Sequence, residues 1–224
     1  MPFADRADAG RRLAKALAKY KAHWPIVFAL PRGGVPVAAE VAASLEAPLD
    51  LILVRKIGVP IQPELAMGAV VDGGKPITVR NEDVIRLVGI SESEFQIACE
   101  RELAEIERRR RRYLGDRPHP EVAGRVAIVI DDGIATGATI RAALRATRMR
   151  NPKTLVLAVP VAPTSTLEEL RGEADKVVCL EDYEPFGAIG AFYGDFRQVS
   201  DEEVIEILAR FPVPVPGSAT PSAA

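Results

Sequence analysis

The chain has 224 residues, 48% of them apolar and 27% charged, with a formal net charge of −2, enough for one domain with a sizeable core and a small appended lobe. The near-neutral balance argues against a surface that coats nucleic acid and leaves room only for a local basic site. The two cysteines, Cys99 and Cys179, and the two histidines, His23 and His119, are too scattered for a resident metal site. No apolar run approaches the roughly 18 residues of a membrane span. The opening MPFADRADAGRR carries charge where a signal peptide needs an apolar stretch, so the expected location is cytoplasmic.

In chain order, Asp5 to Tyr20 reads as a helix, with Leu13, Ala16, Leu17 and Tyr20 at helical spacing and Asp5 or Asp8 as its cap. The apolar run Ile26 to Leu30 predicts a buried strand, Pro31-Arg32-Gly33-Gly34 a tight turn, and Val35 to Leu45 a helix. Leu49 to Val54 predicts the next strand, closed by the basic pair Arg55-Lys56. Ile57 to Ala66 has prolines, a glycine and little periodicity, which predicts a loop. Met67 to Val71 and Pro76 to Val79 predict a hairpin turning on Asp72-Gly73-Gly74. Ser91 and Glu94 spell a capping box for a helix running to about Tyr113, its end crowded with Arg108 to Arg112.

Val126 to Ile130 is uninterrupted and apolar, as in a strand buried on both faces of a parallel sheet, and Thr139 to about Met149 is helical. Thr154 to Pro160 predicts a strand, Ser165 with Glu168 a second capping box for a helix to about Arg171, and Lys176 to Leu180 the last core strand. Glu184 to Phe196 gathers the late aromatics Phe186, Phe192, Tyr193 and Phe196. Ser200 with Glu203 caps a final helix ending near Arg210, and Pro212 to Ala224 has the composition of a disordered tail. Strands alternating with helices predict an α/β fold, a mostly parallel open sheet with helices on both faces.

The chemistry concentrates after Ile130. Asp131 and Asp132 stand at the strand's carboxyl end, where ligands bind in open α/β sheets, and adjacent carboxylates repel unless hydroxyl donors or a cation balance them. The small residues Ala135-Thr136-Gly137-Ala138-Thr139 then lead into a helix N-terminus, which suits a phosphate. No Lys follows the glycines as in a Walker A loop, and the dinucleotide pattern GxGxxG is missing. A sugar phosphate meets both demands.

An apolar strand followed by DDGIATGAT resembles the PRPP (5-phosphoribosyl pyrophosphate) signature of the type I phosphoribosyltransferases. The resemblance implies that Asp131 and Asp132 hold the ribose hydroxyls and that Ala135 to Thr139 cradle the 5-phosphate. Leu30-Pro31-Arg32-Gly33-Gly34 resembles that family's pyrophosphate loop, and the residue types agree, since glycines permit close approach and Arg32 is a forked donor. Arg55 and Lys56 stand where the family has a flexible loop that closes over PRPP, placed to offset charge on the leaving group. Here the chain departs from some members, because Ile57 to Gly74 contains no Lys or Arg. The stretch RKIGVPIQPELAMGAV is most similar to a bacterial group of predicted phosphoribosyltransferases with no established acceptor.

The resemblance implies phosphoribosyl transfer from PRPP to a nitrogenous acceptor, with Asp131, Asp132, Arg32, Arg55 and Lys56 as the catalytic set. Mg2+ would arrive on PRPP and meet Asp131 and Asp132 indirectly. It also implies one domain over residues 1–211, with a hood from the N-terminal segment and about 184–196 that selects the acceptor. Phe186, Phe192 and Tyr193 are the weaker candidates to stack on that acceptor. Ala135 replaces an Asp of the 6-oxopurine branch, which lowers hypoxanthine or guanine as the acceptor and leaves adenine-type and uracil-type bases open. The expected partners are PRPP and a small-molecule acceptor, with a homodimer compatible and neither nucleic acid nor a membrane required. A PRPP-binding sensor without turnover is the alternative, though no helix-turn-helix extension is visible. Arg108 to Arg112 reads as a solvated helix face, given Glu105–Arg109 and Glu107–Arg111 at i,i+4. His23 and His119 read as surface residues, and both cysteines as small buried hydrophobes.

Overall fold

Every residue of Val126–Ile130 is buried, and alternation sends Ala127 and Val129 to one side, Val126, Ile128 and Ile130 to the other, as in a strand covered on both faces. The computed structural model describes residues 2–72 and 76–211. Its elements in chain order are α1 (Arg6–Leu17), β1 (Ile26–Ala29), α2 (Gly34–Leu45), β2 (Leu49–Leu51), β3 (Val54–Val59), β4 (Gln62–Val71), β5 (Ile77–Arg80), α3 (Glu82–Val88), α4 (Glu92–Leu114), β6 (Val126–Ile130), α5 (Ala138–Met149), β7 (Thr154–Pro163), α6 (Thr164–Leu170), β8 (Lys176–Tyr183) and α7 (Asp201–Ala209). Five strands form a parallel sheet in the order β2-β1-β6-β7-β8, and β3-β4-β5 form a separate antiparallel sheet.

Two cores follow from the alternation. Val27, Ala29, Ile128 and Ile130 face α1, α2, α4 and α7, whereas Ile26, Phe28, Val129 and Leu157 face α5 and α6. Fully burying each such side chain contributes roughly 1.5–3 kcal/mol, so the strand ends are firmly anchored. Among the described residues no helix is long and apolar enough to cross a membrane.

Several elements differ from the sequence reading. The first helix is capped by Asp5 and stops at Leu17, with Ala18–His23 tightening into a 3-10 turn. The strand expected over Leu49 to Val54 breaks at Ile52, so Arg55 and Lys56 lie inside β3 of the small sheet. The expected loop Ile57 to Ala66 is an antiparallel hairpin. Its prolines and glycine fit because the register slips around Gly58 and β5 pairs only with Gly68 to Val71, leaving Pro63 no ladder to break. A Cβ on Gly58 would lie 2.4 Å from the Pro63 carbonyl oxygen. Gly73 and Gly74 of the expected turn, and the tail from Pro212 onward, lie outside the described residues.

Helix α3 has no strong period and is defined by its ends, Asn81 as cap and Gly89 in the left-handed conformation. The Ser165–Glu168 box does not form. Pro163 occupies the cap position of α6 and the Ser165 hydroxyl donates instead to Glu184. The boxes at Ser91 and Ser200 are present. His119 is not a surface residue. Its ring lies between Asp50 of β2 (3.0 Å) and Asp72 at the end of β4 (3.5 Å), tying the small sheet to the large one. His23 is exposed and Cys99 buried, while Cys179 is half-buried.

Candidate active site

The strand order places a topological switch between β1 and β6. From β1 the chain moves outward to β2, and from β6 it moves the other way to β7. Their following helices lie on opposite faces, which opens a crevice at the carboxyl ends of these two strands. Both motifs singled out in the sequence sit there.

After β1, Leu30 N–H donates to the Ile130 carbonyl (2.9 Å), fastening the turn to β6. Gly34 and Val35 N–H then close onto the Leu30 and Arg32 carbonyls, which leaves the Arg32 and Gly33 N–H groups outside that closure. Gly33 and Gly34 are required by contact. A Cβ on Gly33 would lie 2.0 Å from Asp132 Oδ2, and one on Gly34 would lie 2.9 Å from the Ile130 carbonyl oxygen and Asp131 Cα. The glycine turn and the acid pair interlock.

After β6, Asp132 N–H donates to Asp131 Oδ1 (2.9 Å). Burial, then the charge of Asp132, holds the Asp131 carboxyl well above the usual carboxylate range. Asp132 pairs with Arg6 at 2.8 Å, and that guanidinium lies 3.9 Å over the Phe196 ring and donates to the Arg197 carbonyl. Gly137 takes φ 73° to turn the chain into α5, a conformation that favours glycine. Ala135, Thr136, Ala138 and Thr139 are exposed around it, at a helix N-terminus whose first N–H groups lack intrahelical partners. Thr166 of α6 steadies this loop by donating to the Ala135 carbonyl.

The basic residues divide. Arg32 faces Asp201 of α7 at 3.4 Å; hydrogen bonding from Tyr113 first, then nearby arginines, holds Asp201 below the usual carboxylate range. Arg55 pairs with the buried Glu102 of α4 at 2.8 Å. Neighbours along a strand point to opposite faces, so Lys56 turns away from Arg55. It lines a cavity of about 510 Å³ between the small sheet and α5, with Arg80, Ala138, Arg141 and Arg145. The two side chains line different clefts.

The N-terminal segment meets the late aromatics where Phe3 bridges to Tyr193 and packs on its ring at 5.3 Å. Tyr193 is 2% exposed and its hydroxyl donates to the Asp132 carbonyl. It supports the acid pair and presents no free face for stacking. Phe192 is half-buried between Tyr183 and Phe186, stacked at 4.9 and 5.0 Å. Ile189 covers Gly133, where a Cβ would lie 2.6 Å from Ile189 Cγ2.

Among the described residues no group of three or more His, Cys, Asp or Glu could hold a metal ion. The hard oxygen donors of Asp131 and Asp132 fit a divalent ion that arrives already ligated by other oxygens. Sequence reasoning missed Arg6 and Asp201, which reach the site across long sequence separations. It also missed Glu102, although a signal was present. Phe95, Ala98, Cys99, Glu102 and Ile106 form one buried stripe of α4, and an acid on such a stripe implies a buried partner.

The phosphoribosyl transferase domain model matches residues 4–193. Two Mycobacterium tuberculosis relatives, from strains CDC 1551 and H37Rv, carry the provisional name phosphoribosyl transferase and are 46% identical over 208 residues. The match covers 93% of this chain and 46% of each relative, so the chain spans about half their length. Among solved structures, protein TT1426 of Thermus thermophilus superposes with a TM-score of 0.84 at 41% identity, covering 95% of this chain and 100% of that one. With the signature strand, the interlocked glycine turn and these matches in agreement, the chain belongs to the phosphoribosyl transferase family.

Proposed function

We propose that the crevice binds PRPP and transfers its 5-phosphoribosyl group to a nitrogenous acceptor, releasing pyrophosphate. The observation that carries this reading is the interlock of Asp131 and Asp132 with Gly33 and Gly34 beside the open N-terminus of α5. A sugar bearing phosphate at one end and diphosphate at the other has hydroxyls for the acids and an anion for each donor set.

In this reading Ala135 to Thr139 receive the 5-phosphate through backbone N–H groups and the two Thr hydroxyls. Asp131 and Asp132 accept from the ribose hydroxyls and fix the ring. Arg32, Gly33 and Gly34 hold the diphosphate. The bond from the anomeric carbon to the pyrophosphate oxygen breaks, and its electron pair leaves with pyrophosphate. The acceptor nitrogen forms the new bond and sheds a proton to solvent. A transition state with positive charge on the sugar needs in-line placement, a neutralised leaving group and little water, which are positional tasks. Mg2+ bound with PRPP would supply further neutralisation of the diphosphate. The hairpin of β3 and β4 is the element placed to cover the donor, and Phe186 with Phe192 forms the candidate acceptor wall.

Pyrophosphate release from Mg2+–PRPP across a panel of nucleobases and small amines tests the reading. Release with one acceptor class supports transfer. PRPP binding with silence across the panel would favour a sensor, and no PRPP binding would remove the donor assignment.

A further inference from the structure

We propose that helix α4 supplies the cationic wall of the diphosphate subsite, with Arg109 contacting the leaving pyrophosphate directly. This rests on the donor assignment above and concerns where its leaving-group charge is met. The hairpin from Ile57 to Val71 contains no Lys or Arg, and Lys56 points toward α5. Arg32 sits on the glycine turn but faces Asp201, and a departing pyrophosphate carries several negative charges, so further cations are needed from another element.

The arginine run on α4 divides by helical geometry. Arg108 and Arg111 have side chains 60% and 76% exposed and pair with Glu105 and Glu107. Arg110 turns toward Asp72 and His119. Arg112 meets Asp201 and Glu202 of α7. Arg109, with its side chain 38% exposed, lines a cleft with Leu30, Pro31, Arg55 and Thr139, joining the turn after β1, the start of the hairpin and the phosphate cradle. The cleft is narrow, about 30 Å³, of the order of one water, so a phosphate oxygen entering it meets a wall shared by Arg55 and Arg109.

Both arginines are held from the same helix. Glu102 pairs with Arg55 at 2.8 Å and Glu105 pairs with Arg109 at 2.8 Å. Residues three and four apart share a helix face, so 102, 105 and 109 form one stripe toward the turn. The Glu105–Arg109 pair, which in sequence resembles a solvated face, is a tether. A guanidinium held in place before the ligand arrives contributes charge without first losing rotamer freedom.

Calorimetric titration of the full chain with Mg2+–PRPP, Mg2+–pyrophosphate and ribose 5-phosphate tests this. Arg109→Gln should weaken PRPP and pyrophosphate by about ten- to a hundredfold, the scale of a charged hydrogen bond, and leave ribose 5-phosphate unchanged. Arg109→Lys should fall between, and Arg111→Gln should match the unmodified chain for all three. Unchanged pyrophosphate affinity in Arg109→Gln would overturn the proposal, as would an equal loss for all three ligands. Failure of the unmodified chain to bind PRPP would instead strike the donor assignment.

Discussion

The crevice has two sides built on different principles. The side proposed for the ribose phosphate is local. Strand β6, the acid pair and the N-terminus of α5 follow one another within Val126 to Thr139, and the chain direction alone places the cradle beside the carboxylates. The side proposed for the diphosphate is assembled from distant pieces: the turn after β1, Arg55 on β3, Glu102 and Arg109 on α4, and Asp201 on α7. A local site is fixed by the strand beneath it, whereas an assembled site depends on how separate elements pack.

Changes on the local side should therefore act completely and without wide structural loss. The largest expected effect is that of Asp131→Asn with Asp132→Asn. Mg2+–PRPP should raise the melting temperature of the unmodified chain by linkage, and the double variant should show no rise at millimolar PRPP. A normal rise would mean that the acids serve the fold alone. Gly33→Ala, where the turn of the assembled side meets the acid pair, comes next. Its methyl would lie 2.0 Å from Asp132 Oδ2, so the turn and the acid must part, costing about 1–3 kcal/mol of stability and at least tenfold in PRPP affinity. A stable variant that binds PRPP normally would show that the turn yields freely.

The same division explains what the sequence reveals. Val126 to Thr139 was legible because burial, charge and turn chemistry lie in order along one segment, and the parallel sheet followed from strand–helix alternation. The hairpin was not legible, because Pro63 and Gly58 are loop signals and only the slipped register makes them strand residues. Arg55 and Lys56 look like a pair in sequence, yet a strand sends them to opposite faces. Tyr193 reads as a stacking aromatic, and only its bond to the Asp132 carbonyl reveals a support. Arg6 gives no local signal at all, since its role comes from contact with a residue 126 positions away.

The assembled side should also carry its own pH dependence through His119, which joins the two sheets. Hydrogen bonds to Asp50 and then Asp72 push its pKa up from 6.5 to about 9. Arg110 and Arg150 also face this cluster, and burial of the ring offsets part of the gain. A folded-state pKa above the unfolded value means that the proton stabilises the fold. That contribution is complete below about pH 6.5 and is lost as pH rises through about 9. Denaturant unfolding between pH 6 and 10 should show a fall on the order of 1–2 kcal/mol, and His119→Asn should flatten it. A slope that survives the substitution would assign the titration elsewhere.

The smallest stability effect separates Arg55 from Lys56. Arg55→Ala removes the cation 2.8 Å from the buried Glu102 and leaves it the exposed Arg101 at 3.1 Å, so it should destabilise the chain by about 1 kcal/mol and weaken pyrophosphate binding. Lys56 is exposed on the other face of β3, so Lys56→Ala should change stability by less than about 0.5 kcal/mol. If the hairpin moves when the donor is covered, Lys56 reaches the reacting groups only in the closed form, and its loss should lower turnover more than PRPP affinity. Equal losses in both would place Lys56 on the donor already in the open form, and the two residues would then share one task despite their opposite faces.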